Sequence, residues 1–161
     1  MIYNVLDVCR HVINYSDDID CGISNLKLQK ILYFIQAYFL INTPDNRACF
    51  HEPIEAWDFG PVVPVAYHEY KAYGATNIPR ITEYAVIDET NLWNSEMVEY
   101  SDNVISCEDK DMMNEVVKAF EDYSASDLVE LTHAQDPWKD AYVPRMNNEI
   151  TLEAIREFFD E

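Results

Sequence analysis

Glycine is scarce: Gly22, Gly60 and Gly74 are the only three in 161 residues, and no two are close together. A backbone cradle for phosphate needs several neighbouring glycines, so neither GxGxxG nor a P-loop can be built, and GxSxG is absent as well. Cys9, Cys21, Cys49 and Cys107 lie far apart with no CxxC pair. That removes zinc-ribbon and thioredoxin-like readings and leaves reduced structural thiols as the expectation. The four histidines include His51-Glu52 and His68-Glu69, but neither pair extends to HExxH. A zinc site gathered from His51, His68, His133 and an acid, or a thiol–imidazole pair such as Cys49 with His51 or His68, stays open on residue types alone. Ordinary hydrogen-bonding histidines are the plainer reading, and neither a metal nor a cofactor is expected. No apolar run reaches the roughly 20 residues a bilayer-spanning helix requires. The longest, about 31–41, is interrupted by Gln36. The N-terminus carries no apolar h-region and no cleavage pattern, so the expectation is a soluble cytoplasmic protein without a signal peptide.

Basic residues are also in short supply. Eleven Lys and Arg face 30 Asp and Glu, a net charge of −19. The imbalance is uneven. Residues 1–80 hold six bases and nine acids, for −3, whereas residues 81–161 hold five and twenty-one, for −16. Affinity for nucleic acid rests on clustered Lys and Arg, so direct nucleic-acid binding is not expected. Lys27, Lys30 and Lys71, which could share a face, are expected to pair with the protein's own acids. A field this negative attracts basic partners and raises their encounter rate at low salt. The same charge admits another reading, an acidic phage or prophage protein that imitates DNA and occupies a nucleic-acid enzyme.

What the chain does have is hydrophobic periodicity and aromatics. Hydrophobic residues make up 48% and aromatics 13%, with eleven tyrosines, enough for one ordinary core. The i, i+3, i+4 spacing of Val5, Leu6, Cys9, Val12 and Ile13 predicts a helix over about 2–15. Residues 24–42 predict a second, capped by Ser24 and apolar nearly all round, with Asn25, Gln29 and Gln36 as its polar strip. Such a helix belongs at the centre of the core. Turn residues then flank two short extended candidates, 48–51 and 54–58, read as a small hairpin or sheet. Gly60-Pro61 is expected to break the second strand, and Pro64 to open a short helix carrying Tyr67, Tyr70 and Tyr73, closed by Gly74. A strand is possible at 84–87; the rest of 75–107 has no readable period. Helices follow over 109–123, after Ser126 as a cap, after Asp136-Pro137, and after Thr151. The fold class is thus α+β and predominantly helical: a single domain over 1–161 with a central buried helix, a small hairpin or sheet, and an acidic, helical C-terminal third.

Three blocks of sequence carry a resemblance. They are LKLQKILYFIQAYFL (26–40), EPIEAWDFGPVVPVAYHEYKAYG (52–74) and LVELTHAQDPWKDAY (128–142). In order and spacing they resemble the Panacea-domain, or SocA-like, antitoxin family, whose members include phage-associated GepA-like proteins. The resemblance covers roughly 26–142 and is poor over 84–107. It implies an antitoxin rather than an enzyme: a protein that binds a partner toxin, usually encoded beside it, and in one mode hands that toxin to an ATP-dependent protease. The toxin would be basic, since many act on RNA or nucleotides. The 52–74 block is read first as a stiff corner, with Trp57 anchored in the core and Gly60, Pro61 and Pro64 fixing the chain. His133 and Trp138 are expected to pack beside it. Asp58, Phe59, Val62, Tyr67 and Tyr70 are the candidate partner contacts, because Tyr, Trp and Phe bring large apolar area with few rotors.

Overall fold

A computed structural model describes residues 1–161. The chain forms seven helices and two small sheets. In chain order these are α1 (Val5–Asp18), α2 (Asn25–Asn42), β1 (Ile54–Trp57), β2 (Gly60–Val62), α3 (Pro64–Tyr70), β3 (Glu83–Val86), β4 (Glu96–Glu99), α4 (Cys107–Ala119), α5 (Ala125–His133), α6 (Asp136–Ala141), β5 (Glu149–Ile150) and α7 (Leu152–Phe159). The predominantly helical α+β expectation holds. No helix is long and apolar enough to cross a membrane.

Helix α2 is the axis of the core, and α1, α3, α4, α5 and α7 all pack against it. Leu28, Ile31, Leu32, Ile35 and Phe39 are fully or almost fully buried. Each such side chain stabilises the fold by about 1.5–3 kcal/mol relative to exposure. At its middle Phe34 stacks on Phe120 at 4.5 Å and meets Phe159 edge-on at 6.1 Å, which joins α4 and α7 to α2. Ser24 caps α2 by accepting from the Lys27 amide, as its position predicts. Thr151 does the same for α7 through Ala154.

The structure corrects four readings and extends a fifth. First, Gly60-Pro61 does not break a strand; it begins one. β1 and β2 form an antiparallel hairpin with Trp57 opposite Gly60 and Ala56 opposite Pro61, and β5 pairs on the other side of β1. Proline is tolerated there because β2 is an edge strand. Second, residues 48–51 are not the hairpin's other arm; they make only an isolated parallel bridge, Tyr3 to Phe50. Third, and as an extension rather than a correction, the polar strip of α2 faces inward. Asn25, Gln29 and Gln36 are buried and direct their amides at main-chain groups: Asn25 at the Tyr67 carbonyl of α3, Gln29 at the Val63 amide and Gln36 at the Cys49 amide. Fourth, the cap of α5 is Ser124, not Ser126. Ser124 and Asp127 exchange bonds in a capping box, whose serine must sit three residues before the acid. Fifth, none of Lys27, Lys30 and Lys71 has a carboxylate partner. Lys27 donates to the Glu121 carbonyl, Lys30 to the Pro61 carbonyl, and Lys71 lies against His68.

Candidate functional site

The β1–β2 hairpin is the point on which all three sequence blocks converge. Its two-residue turn, Asp58-Phe59, keeps negative φ at both positions, so the positive φ that the reversal needs falls on Gly60 (φ 106°). A Cβ at Gly60 would lie 2.8 Å from Lys30 Cε and 2.8 Å from Thr132 Oγ1. Glycine is therefore required twice, by conformation and by space.

From beneath, α2 clamps the second strand. The buried Gln29 accepts from the Val63 amide at 3.0 Å while donating to Asn25 Oδ1, and Asn25 in turn donates to the Tyr67 carbonyl. Lys30 donates its ammonium to the Pro61 carbonyl at 2.9 Å. Burial pushes the Lys30 pKa down to about 7, because nothing nearby compensates the charge. One turn and a half further on, Gln36 accepts from the Cys49 amide at 2.7 Å and donates to the Phe50 carbonyl. The LQK and later Gln of the first block are thus substitutes for ladder partners, holding 49–63 in place.

From above, the third block caps the turn. His133 Nε2 lies 2.9 Å from the Asp58 carbonyl oxygen and so donates to it. Trp138 Nε1 donates to the Trp57 carbonyl at 2.8 Å, and Tyr142 donates its hydroxyl to Asp58 Oδ1 at 2.5 Å. That carboxylate raises the Tyr142 hydroxyl pKa above its ordinary value. The rings stack in series: His133 on Trp138 at 4.1 Å, Trp138 on Tyr142 at 4.5 Å. On the opposite flank Trp57 meets Tyr67 edge-on at 4.9 Å, and Tyr67 meets His68 at 5.4 Å. The hairpin tip therefore sits between two aromatic groups.

The structure separates the candidate contact residues. Phe59 is 65% exposed at the tip, Asp58 is exposed beside it, and Tyr67 is half-buried. Val62 (3%) and Tyr70 (5%) are buried, which leaves a partner almost nothing to touch. Trp57 is half-buried, not a core anchor; its indole donates to Glu55 at 3.0 Å. Trp138 and His133 are half-buried beside it, while Gly60 and Pro61 are buried and Pro64 opens α3. A groove of about 320 Å³ runs along the hairpin, lined by Leu26, Gln29, Trp57, Phe59, Tyr67 and Arg145 among others. Arg145 (φ 67°) and Asn147 (φ 49°) adopt left-handed backbone in the loop that forms its rim. The sequence picked out Gln29 and Lys30 as polar residues of α2 without giving either a role at the hairpin, and it did not flag Arg145; the available signal was Asn25, Lys27, Gln29, Lys30 and Gln36 inside a helix otherwise apolar.

No set of three or more His, Cys, Asp or Glu side chains is arranged to hold a metal ion. The Cys49 thiol is buried, and burial pushes its pKa well above the ordinary value, the reverse of an activated nucleophile. His51, its sequence neighbour, is exposed. What the hairpin presents is an aromatic, partly acidic exposed tip held by hydrogen bonds from α2 and from 133–142.

The architecture is that of a helical α+β domain displaying one clamped hairpin. Residues 28–139, which are 112 of the 161, match the family described as "Antitoxin SocA-like, Panacea domain", and the chain belongs to that family. A segment of 56 residues is 46% identical to the protein named Antitoxin SocA of Caulobacter vibrioides (strain NA1000 / CB15N), covering 35% of this chain and 29% of that relative. The chain thus aligns with less than a third of the curated relative it matches. No solved structure matches.

Proposed function

We propose that this protein is the antitoxin of a toxin–antitoxin pair, working in the cytoplasm by binding a basic toxin directly. The observation that carries the reading is the family match over 28–139, which includes every residue of the clamped hairpin and most of the block that caps it. The charge supports the basic partner: −19 overall steers a cationic protein toward this one. The hairpin tip supplies apolar contact area, with Phe59 as its most exposed ring and Asp58 beside it. A toxin held there by desolvated aromatics would leave slowly, since affinity is tuned mainly through dissociation.

The test is co-expression. Expression of the adjacent gene alone should arrest growth, and adding this chain should restore it. Persistent arrest in the presence of soluble antitoxin would remove the reading. The fate of the captured toxin is read from its half-life. A toxin that disappears in normal cells and persists in cells lacking the ATP-dependent protease marks delivery for degradation. Full protection with unchanged half-life marks occlusion. Competition by duplex DNA for the captured protein would instead favour a DNA mimic.

A further inference from the structure

The hairpin β3–β4 stands apart from the three-stranded sheet. Its register sets Glu83 opposite Glu99, Tyr84 opposite Val98, Ala85 opposite Met97 and Val86 opposite Glu96. It is rooted firmly. The Tyr84 ring lies 3.5 Å from the Arg10 guanidinium of α1, Asn14 holds both the amide and carbonyl of Ile81, and Tyr100 donates its amide to Thr82. Beyond that root it projects. A free two-stranded ribbon has two unpaired edges and is marginal on its own.

Its composition is unusual for a surface left in water. Trp93 is 95% exposed, Leu92 70%, Ile87 62% and Met97 59%. Several large apolar side chains exposed on one short ribbon point to an interaction site, and Trp is strongly enriched among binding hot spots. Because directly opposed residues share a face, Tyr84 and Val98 turn toward α1, while Glu83, Glu99, Ala85 and Met97 face outward. The ribbon and its flanks, 81–101, hold five carboxylates and no Lys or Arg. Glu83 and Glu99 stand directly opposed, a like-charge pair that destabilises the free ribbon.

That charge decides the occupant. A second copy would bring five more carboxylates to the same contact. Nucleic acid and anionic membrane are repelled for the same reason. A cationic protein surface removes the repulsion and covers the apolar side chains at once. We propose that the 83–99 ribbon is a docking arm for a basic protein, with Trp93 and Met97 seated in apolar depressions and Glu83 and Glu99 meeting Lys or Arg. The proposal rests on the antitoxin reading, in that the basic protein is the toxin, and it places a contact surface on the segment with least family resemblance.

The experiment uses the full chain and the purified product of the adjacent gene. Amide exchange across 83–99 should slow markedly in the complex. Trp93→Ala should weaken binding at least tenfold with an unchanged melting temperature, since its ring packs against almost nothing. The double substitution Glu83→Lys/Glu99→Lys should slow association and flatten its salt dependence. A complex that leaves 83–99 unprotected and tolerates Trp93→Ala overturns the docking arm and leaves the antitoxin reading standing. Absence of any complex with the intact chain overturns both. A dimer of this chain alone that Trp93→Ala dissolves would assign the arm to self-association, against the proposal.

Discussion

Lys30 and Gly60 occupy one small space, and each makes a measurable demand on stability. The ordinary lysine pKa of 10.5 applies to the unfolded chain, and burial lowers it to about 7 in the folded one. Below pH 7 both states bind the proton, and the penalty for burying the ammonium is present in full. Between about pH 7 and 10.5 the unfolded state binds more protons, so stability contributed by this site rises with pH and then levels. Urea melts of wild type and Lys30→Met between pH 6.5 and 10 should show the wild type gaining on the variant by up to a few kcal/mol. A constant difference would mean that the ammonium stays charged in a hydrated site. Gly60→Ala should cost at least about 2 kcal/mol. Positive φ alone costs roughly 1–3 kcal/mol for a residue with a side chain, and the new methyl would also meet Lys30 and Thr132 at 2.8 Å. A shift under 0.5 kcal/mol in the same melts would show that the turn relaxes freely.

At the scale of elements, apolar period was the readable signal, and it failed where polar residues do structural work inside. The stripe of α2 pointed to a central helix, and α2 is central. Its three amides read only as a polar strip, with no role, because nothing in a one-dimensional pattern says that unpaired backbone lies opposite. That backbone belongs to Cys49, Phe50 and Val63, far along the chain. The two-residue β5 left no trace in the pattern for a similar reason: its pairing is entirely with a strand about ninety residues earlier. Strand β3 was legible to within one residue at each end, whereas β4 was hidden by the scattered apolar residues of an exposed ribbon. The candidate site was legible as blocks, not as surface. Phe59 and Asp58 are exposed, but Val62 and Tyr70 face inward, because helix and strand phase decide exposure and residue type does not. The cap of α5 tests this level directly. Ser124→Ala should cost about 1 kcal/mol by opening the capping box, while Ser126→Ala, one turn position inside, should change little. Equal losses in thermal melts would contradict the assignment of Ser124 as cap.

For the molecule as a whole, charge is the property that no single contact explains. Within residues 81–161 the ion pairs are Lys110 with Asp102 and Lys139 with Asp136, and Arg47 reaches Asp109 from the other half. Most of the twenty-one acids there have no cation beside them. Self-repulsion of that kind is screened by salt, with a Debye length of about 10 Å at 0.1 M. The isolated protein should therefore melt at higher temperature in 0.3 M NaCl than in 0.02 M, the opposite of a fold held by surface ion pairs. Association with a basic toxin should respond in the other direction, its rate falling at least about tenfold over the same range as steering is lost. Dissociation should change far less, because the residues expected to delay it, Phe59 at the hairpin tip and Trp93 on the ribbon, are uncharged. Stopped-flow mixing separates the two rates. If salt acted mainly on dissociation, charge pairs rather than the uncharged side chains would be holding the complex, and diffusional steering would no longer account for the salt dependence.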